Sequence, residues 1–284
     1  MSVLAGIVTF NPDLDLLKNN IDSVLPQVDS LVIVDNHSEN IHDIRKLCTD
    51  KVHIISNESN RGIAYALNKE FFYAMENGHK WVLTLDQDTV VPSNILSEYK
   101  KYYELDKIGM LSCRIQDRNL FINQTESIVD SEYISDCITS GSLLKVDAWN
   151  KVKGFCDEMF IDAVDHDMCF SLIEQGYKIL RVNSVILNHA VGESKFIVSF
   201  GKRYQLYNES PLRNYYQFRN SIYLLKRHKR MVLSNYKYGL LGFVLSRIVR
   251  AYLIVRYEED SLHKLCMIIK GTWHGLIGKY GKYK

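Results

Sequence analysis

Short apolar runs alternate with segments of helical periodicity over the first ninety residues of the chain. The pattern predicts, in chain order, a strand at Val3 to Thr9, a helix at Asp13 to Val24, a strand at Ser30 to Val34, a strand at Val52 to Ile55, a helix beginning at Ile63 and a strand at Trp81 to Leu85. Strands that alternate with helices of ten or more residues are typical of a mostly parallel sheet. The sequence therefore predicts a three-layer α/β/α sandwich.

The later part of the chain has a different pattern. Residues 108 to 146 are rich in predicted strand, and a helix is predicted from about Asp165 to Gly176. Between Tyr238 and Val255, Arg247 and Arg250 interrupt an apolar stretch, whereas a membrane-spanning helix needs about 20 apolar residues without such breaks. One face of this segment is apolar, formed by Leu241, Val244, Leu245, Ile248, Tyr252 and Val255. The pattern fits either an interfacial helix or a core helix of an appendage.

Length and composition favour one large domain with a smaller appendage. The chain has 284 residues, of which 46% are hydrophobic, enough for one sizeable core. The first ten residues have no basic start and are predicted to form a buried strand rather than a targeting signal. The six cysteines include no C-x-x-C pair, so we expect reduced thiols in the cytosol.

Charge is divided unevenly along the chain. Residues 195 to 284 contain 18 of the 35 Lys and Arg but only 4 of the 33 Asp and Glu, which leaves 17 basic and 29 acidic residues before them. Such a basic segment is typical of a surface that meets phospholipid or nucleic acid. A solvated basic surface without a partner is the alternative.

Two carboxylates follow the fourth predicted strand. Asp86 and Asp88 are separated by one residue at the end of the apolar run that begins at Leu83. Carboxylate oxygens suit Mg²⁺ or Mn²⁺, and such ions keep positions open for substrate phosphates. The motif therefore indicates a metal-diphosphate site, although a solvated turn is the simpler reading. Further polar residues are predicted at strand ends that meet at the same edge of the sheet: Asn11, Asp35 and Asn57 to Arg61.

A small-residue stretch and an acidic cluster lie further along. Residues 139 to 142, Thr-Ser-Gly-Ser, would let the backbone approach a ligand closely, or form an ordinary turn. Five carboxylates fall within the eleven residues from Asp157 to Asp167, where they are costly to pack without partners. An acidic helix start is the alternative for Asp165 and Asp167. The chain has no glycine-rich phosphate loop of the Walker or Rossmann type.

As an ordered set, these motifs resemble the inverting glycosyltransferases of family 2, which have the GT-A fold. Within that family the chain is most similar to the bacterial rhamnosyltransferases of polysaccharide assembly, over roughly residues 3 to 230. The matching segments are Thr9 to Asn11, Val34 to Ser38, Asn60 to Asn68, Leu85 to Asp88, Ser140 to Ser142, Phe160 to Asp167, Asn188 to His189 and Pro211 to Asn220.

The resemblance implies roles for particular residues. Asp35 would accept a hydrogen bond from N3–H of uracil or thymine, and Arg61 would stabilise phosphate charge. Asp88 would ligate a Mg²⁺ or Mn²⁺ ion, with Asp86 and His189 completing the metal site. The nucleotide-sugar site would comprise Thr9, Asn11, Asp35, Asn60, Arg61, Gly62, Asp86 and Gln87.

Asp165 is the expected catalytic base. In the family this position is the second of an acidic pair at a helix start, where it faces the acceptor hydroxyl. Here the first member is Val164, and Ser171 stands where relatives usually have an arginine. Contacts with the donor or acceptor sugar are expected from Ser140, Gly141, Asp162, Asp167, Arg213 and Arg219.

The resemblance also implies an organisation and a reaction. A catalytic domain would span residues 1–205, with nucleotide sugar bound by about 1–90 and acceptor by about 91–205, followed by a basic helical region at 206–284. The expected reaction moves L-rhamnose from dTDP-L-rhamnose to a lipid-linked oligosaccharide in O-antigen or capsule synthesis. The enzyme would lie on the anionic inner face of the plasma membrane, would not bind nucleic acid, and could be a homodimer.

Three other functions account for parts of the sequence. A glycosyltransferase that uses a UDP-hexose would have the same site, because uracil and thymine offer the same N3–H donor. A sugar-phosphate nucleotidyltransferase would need a glycine-rich basic loop after the first strand, and residues 11–14, Asn-Pro-Asp-Leu, lack one. A non-catalytic protein that binds nucleic acid or lipid leaves the acidic cluster unexplained.

Overall fold

The chain divides into two units in a computed structural model that describes residues 2–117, 129–189 and 195–284. The first unit comprises Met1–Phe160 and Val164–His189, and the second comprises Ile161–Ala163 and Ala190–Lys284. The predicted boundary at residue 205 falls inside a β-hairpin, residues 195–206, and this hairpin belongs to the second unit.

The first unit contains every strand and helix predicted for the first ninety residues. Its elements are β1 (Val3–Thr9), α1 (Leu14–Val24), β2 (Ser30–Asp35), α2 (Ile41–Ile44), β3 (Val52–Ser56), α3 (Ile63–Glu76), β4 (Trp81–Asp86), α4 (Ile95–Lys100), β5 (Ile108–Asp117), β6 (Ser131–Ile134), β7 (Ser142–Lys145), α5 (Val146–Lys151), α6 (Val164–Glu174) and β8 (Lys178–His189). The predicted boundaries agree to within one or two residues for most of these elements.

One sheet organises this unit. In the part of the chain that the structure describes, eight strands pair in the order β3-β2-β1-β4-β7-β5-β8-β6. The first four strands are mutually parallel, β5 and β8 are also parallel, and β7 and β6 run antiparallel to their neighbours. Every residue of β1 is buried, as expected for a central strand covered on both faces.

The register of the parallel strands places their carboxyl ends side by side. Thr9 of β1 pairs with Asp35 of β2, and Val8 pairs with Asp86 of β4. Parallel strands all point the same way, so the loops that follow β1, β2 and β4 leave the sheet at one edge. The polar residues predicted at strand ends therefore lie in neighbouring loops.

The second unit has a hairpin followed by helices. Its elements are β9 (Lys195–Ser199), β10 (Lys202–Leu206), α7 (Pro211–Arg227), α8 (Lys229–Ser234), α9 (Gly239–Tyr257) and α10 (Ser261–Ile277). α7 and α10 approach closely: a Cβ at Gly271 would collide with the carbonyl of Tyr215, and one at Gly275 would lie 2.9 Å from the carbonyl oxygen of Arg219. Among the helices of the described ranges, none has both the length and the apolar character needed to cross a bilayer.

The apolar face predicted on α9 is exposed. Leu241, Ile248 and Tyr252 expose 62%, 59% and 45% of their surface, whereas the residues that face the interior of the unit are Phe243, Leu253 and Ile254. This face is therefore not the packed side of a core helix. The ring of Phe200, in the turn between β9 and β10, lies 5.4 Å from the ring of Tyr252 and is also exposed.

A buried carboxyl group lies between α3 and the sheet. Glu70 is fully buried, and its carboxyl group occupies the space that a side chain at Gly6 of β1 would need. Neither carboxyl oxygen has a hydrogen-bond partner among the described residues. Burial raises the pKa of Glu70 well above its usual range, and the negative charge of Asp86 raises it further. Burial therefore favours the neutral form of Glu70 in the folded protein.

We predict that Glu70→Gln stabilises the protein at alkaline pH. Because the folded-state pKa of Glu70 lies above the unfolded-state value, the wild type loses stability as the pH rises from about 4.5 towards the folded-state pKa. A neutral amide avoids this loss. In urea unfolding, the free energy of unfolding of the variant should exceed that of the wild type at pH 8, with no gain near pH 4.

Glu76→Gln provides the matched control, because Glu76 is an exposed glutamate on the same helix. It should leave stability unchanged at both pH values. An equal effect of Glu70→Gln at pH 4 and pH 8 would contradict the assignment of a neutral Glu70.

Candidate active site

Asp35 organises the loop that follows β2. It is 0% exposed, and one of its oxygens accepts hydrogen bonds from Thr9 Oγ1 (2.9 Å) and Ser38 Oγ. The other oxygen accepts from the backbone N–H groups of His37 (3.0 Å) and Ser38 (2.9 Å). These four bonds use the acceptor capacity of a carboxylate. The predicted bond from a pyrimidine N3–H would have to displace one of the two hydroxyl groups.

Side chains tie the neighbouring loops to one another. The backbone N–H of Asn11 donates to Ser38 Oγ (2.8 Å), and Asn11 Oδ1 accepts from the backbone N–H of Glu39 (2.8 Å). On the other side, Gln87 Oε1 accepts from the backbone N–H of Phe10 (2.9 Å). The loop after β1 is therefore fastened to the loops after β2 and β4.

Asn36 is a connecting residue to which sequence reasoning gave no role. Its amide group donates to the carbonyl of Gly62 (3.1 Å), and its Oδ1 accepts from Asn57 Nδ2 (2.9 Å). Its backbone N–H donates to the carbonyl of Thr9 (2.8 Å). Its position directly after a buried strand and next to Asp35 is the sequence feature that could have indicated this role.

The loop before α3 requires a glycine. Gly62 has φ of +89°, and a Cβ there would collide with the carbonyl of Phe160. Asn60 Oδ1 accepts from the N–H of Gly62 (3.0 Å), and the first helical N–H, that of Ile63, donates to the Phe160 carbonyl (2.7 Å). Arg61 is exposed, with its guanidinium 4.4 Å from the ring centroid of Tyr65. This loop can therefore present a cation to an anionic ligand.

Ser140 supports the turn that carries the two aspartates. Its hydroxyl accepts from the backbone N–H of Asp86 (3.0 Å) and contacts Thr89 Oγ1 at 2.8 Å. Asn20 Nδ2 donates to the carbonyl of Asp86 (2.7 Å) on the other side. Asp86 and Asp88 themselves are half-buried. Hydrogen bonds to the backbone of Asp86 therefore hold this turn in place.

Ser140 and Gly141 also have a structural role. Both are buried, and the sugar contact expected of them stays a prediction. Gly141 has φ of +78°, and a Cβ there would lie 2.9 Å from Leu187 Cδ2 and 3.0 Å from Cys113 Sγ. Its carbonyl accepts from the hydroxyl of Tyr99 (2.6 Å). The small residue at position 141 is therefore required for close packing within the protein.

Two carboxylates at this edge fit a metal that is shared with a ligand. No group of three or more His, Cys, Asp or Glu side chains arranged to hold a metal occurs in the described ranges. Mg²⁺, however, is commonly held by one or two carboxylates together with substrate phosphates. Asp86 and Asp88 can supply such a pair. His189 ends β8, and its side chain lies outside the described part of the structure; its metal role stays a prediction.

The first turn of α6 carries the expected base. Asp165 is half-buried, and its Oδ1 accepts from the backbone N–H of His166 (3.0 Å). Burial raises the pKa of Asp165, while the charge and N–H of His166 oppose that rise. Asp167 is buried, at 1% exposure, and the sugar contact expected of it stays a prediction. Of the two aspartates at this helix start, only Asp165 is partly exposed.

In the second unit, Arg213 and Asn220 hold the segment Ile161–Ala163. Arg213 Nη2 lies 3.0 Å from Asp162 Oδ1, and Asn220 Nδ2 donates to the carbonyls of Ile161 (2.7 Å) and Asp162 (2.9 Å). Asp162 and Ala163 have φ of +66° and +63°, which non-glycine residues seldom adopt. Asp162 is thus engaged by Arg213, and Asn220 was missed because its contacts lie far away in sequence.

Arg219 is buried within the second unit and has partners there. It is 0% exposed, its Nε donates to Asn220 Oδ1 (2.8 Å), and its Nη1 donates to the carbonyl of Gly281. Its guanidinium also lies 4.8 Å from the ring centroid of Tyr216. Arg219 is therefore a structural cation of α7, and the sugar contact expected of it stays a prediction.

Part of the chain matches a known protein family, and nearly the whole chain matches a relative. Residues 5–145 match the family model for Glycosyl transferase family 2. The chain is also 26% identical over 297 residues to the dTDP-rhamnosyl transferase RfbF of Shigella flexneri, an alignment that covers 99% of this chain and 97% of the relative.

Solved structures of low sequence identity share the fold. The crystal structure of S. aureus TarS 1-349 in complex with UDP-GlcNAc aligns with a TM-score of 0.61 and 13% identity, over 97% of this chain and 81% of that one. GalNAc-T7, crystallised with UDP, GalNAc and Mn²⁺, aligns with a TM-score of 0.59 and 12% identity, over 80% of this chain and 48% of that one. The chain thus spans about half the length of GalNAc-T7.

These findings confirm the predicted fold class. The mostly parallel sheet with flanking helices is the GT-A arrangement, and a helical region follows it. Residues 5–145 of the chain are a glycosyltransferase family 2 domain, and the chain resembles a rhamnosyltransferase over nearly its whole length.

Proposed function

We propose that this glycosyltransferase moves L-rhamnose from dTDP-L-rhamnose to a lipid-linked glycan with inversion at the sugar. The observation that carries the proposal is the likeness to a dTDP-rhamnosyl transferase over almost the whole length of both chains. The row of polar loops after β1, β2 and β4 supports it, because ligands of parallel α/β sheets bind at this edge.

The donor would lie along that row of loops. Arg61 is exposed and can pair with a diphosphate, while Thr9, Asn11 and Gln87 shape the loops around it. A UDP-hexose remains the competing donor, since both pyrimidines carry the same N3–H. The two donors are distinguished by assay.

Asp86 and Asp88 would hold a divalent cation together with the diphosphate of the donor. The bound ion would supply charge stabilisation to the departing nucleoside diphosphate. The GT-A relative GalNAc-T7 was crystallised with Mn²⁺, which supports Mn²⁺ or Mg²⁺ as the ion in this family.

Asp165 would be the general base. A carboxylate in the first turn of a helix, half-buried and held by a neighbouring N–H, is placed to take the proton of an acceptor hydroxyl. Inversion needs such a base on the side of the sugar opposite the leaving group, and Asp165 is the half-buried acid of α6 that can serve.

We propose that the second unit binds the anionic inner face of the plasma membrane, where a lipid-linked acceptor would lie. The exposed side chains of α9 and of the turn after β9 would enter the interface, and exposed cations next to them, such as Lys237 and Lys202, would meet lipid phosphates. These are better candidates than Arg250, whose Nη1 donates to the carbonyl of Gln205 (3.2 Å).

We predict that the protein releases dTDP from dTDP-L-rhamnose in the presence of Mg²⁺ or Mn²⁺, with water as the acceptor. Release should be at least tenfold faster than from UDP-hexoses, and Asp88→Ala should lower it at least 100-fold, because the leaving diphosphate loses its counter-charge. Liquid chromatography of the nucleotide products measures the rate, and circular dichroism checks the fold of the variant.

Asp106→Ala serves as the control, since Asp106 is an exposed aspartate of the same unit that precedes the amino end of β5 rather than following β1, β2 or β4. Faster turnover of a UDP-hexose would replace the proposed donor. Full activity in excess chelator would contradict the role of the metal.

We predict that the protein co-sediments with vesicles that contain anionic phospholipid and binds neutral vesicles poorly. Each Lys or Arg near an anionic surface contributes on the order of 1 kcal/mol, so binding should fall in high salt. Leu241→Glu should weaken binding by removing an exposed apolar contact, and Lys237→Glu should do so by reversing a charge.

Leu105→Glu is the control, because Leu105 is an exposed leucine of the first unit. It should leave vesicle binding unchanged. Equal binding to anionic and neutral vesicles, or none to either, would mean that the apolar face of α9 has another partner.

A further inference from the structure

An ion pair connects the loop after β6 with the first turn of α6. His166 Nδ1 lies 2.6 Å from Asp136 Oδ1, although thirty residues separate them. The backbone N–H of the same histidine donates to Asp165 Oδ1 at 3.0 Å. His166 therefore contacts two carboxylates, one through its ring and the other, that of the expected base, through its backbone.

The two carboxylates act on His166 in the same direction. The hydrogen bond to Asp136 raises the pKa of His166 to about 9, and the charge of Asp165 adds to the rise, while burial opposes it. The imidazole is therefore a cation at neutral pH. Among the described residues, the thiol of Cys137 also acts on the imidazole, and its sulfur lies 3.7 Å from that of Cys169.

The histidine also acts on Asp165. Burial raises the pKa of Asp165 most strongly; the charge of His166 and its backbone N–H lower it, and the charge of Asp136 raises it again. A base must be ionised before it can accept a proton. A cation that is fixed beside Asp165 offsets the effect of burial.

Stability alone does not account for this pair. About half of each side chain is exposed, and ion pairs with such exposure contribute little to stability because water screens them. What sets this pair apart is its direct connection to Asp165, which a solvated pair elsewhere on the surface lacks.

We propose that His166, held by Asp136, is a positioning residue that keeps the Asp165 carboxylate ionised and oriented for proton transfer. The inference rests on the proposed function, in which Asp165 is the base. In the transfer step, the acceptor oxygen bonds to the anomeric carbon while the bond from that carbon to the diphosphate oxygen breaks. The electron pair leaves with dTDP, the hydroxyl proton passes to Asp165, and His166 keeps its own proton.

The pH dependence of His166→Gln tests this role. Glutamine can still bond to Asp136 but carries no charge, so Asp165 should require a higher pH to ionise. The acid limb of the pH–rate profile for dTDP release from dTDP-L-rhamnose should move up by about one pH unit, the lower end of the effect of a nearby opposite charge. Activity should fall about tenfold below the limb and little on the plateau. An equal loss at every pH, or no shift, would overturn the proposal.

His263→Gln is the matched control. His263 Nδ1 lies 3.2 Å from Asp260 Oδ2 in another exposed pair, which belongs to the second unit. The acid limb of the pH–rate profile of His263→Gln should coincide with that of the wild type. A shift as large as that of His166→Gln would mean that any lost surface imidazole produces the effect.

Titration of the imidazole itself tests the part played by Asp136. In histidine-labelled protein, NMR should give His166 a pKa of about 9, with the signal assigned by its absence in His166→Gln. Asp136→Asn should lower that value towards the ordinary value of about 6.5. An unchanged value would show that Asp136 does not hold the charge.

Asp165→Asn separates this inference from the proposed function. An amide cannot take the acceptor proton, so dTDP release should fall by about 100-fold or more, the usual effect of a positioned base. If this variant keeps wild-type activity, the assignment of the base fails, and the role of His166 fails with it. If it is inactive and His166→Gln shows no shift, only the role of His166 fails.

Discussion

The parallel hydrogen bonding of β1 with its two neighbours is the constraint on which the candidate site depends. Because Thr9 is in register with Asp35, and Val8 with Asp86, three loops leave the sheet next to one another. A slip of one residue in either pairing would turn alternate side chains to the other face and separate these loops. The buried apolar residues of the strands fix this register, so the core determines where the polar chemistry lies.

Hydrogen bonds among their own polar groups stabilise these loops. Asp35, Asn36 and Ser140 direct their hydrogen-bonding atoms at neighbouring backbone and side chains. Such bonds are worth most when buried, because a lone buried polar group is costly. The guanidinium of Arg61 is exposed at this edge, and the carboxylates at the end of β4 and in the first turn of α6 are half-buried.

Local pattern was sufficient for much of this architecture. The strands and helices of the first ninety residues follow from apolar periodicity, and the position of Asp86 and Asp88 follows from the end of an apolar run. Burial of single polar residues does not follow in the same way. Arg219 lies on an amphipathic segment that equally suits exposure, and only its packing against Tyr216 and Gly281 makes it structural. The contact of His166 with Asp136 depends on a loop thirty residues away, which no local spacing encodes.

The central claim is inverting transfer of L-rhamnose from this edge of the sheet. The most direct test is the anomeric configuration of the first product, followed by ¹H NMR during the early turnovers of dTDP-L-rhamnose in water with Mg²⁺ or Mn²⁺. A single displacement, with Asp165 activating the acceptor opposite the leaving diphosphate, predicts that the released rhamnose first appears with the configuration opposite to that of the donor. Release with the donor's own configuration, before the sugar has time to equilibrate, would contradict the account.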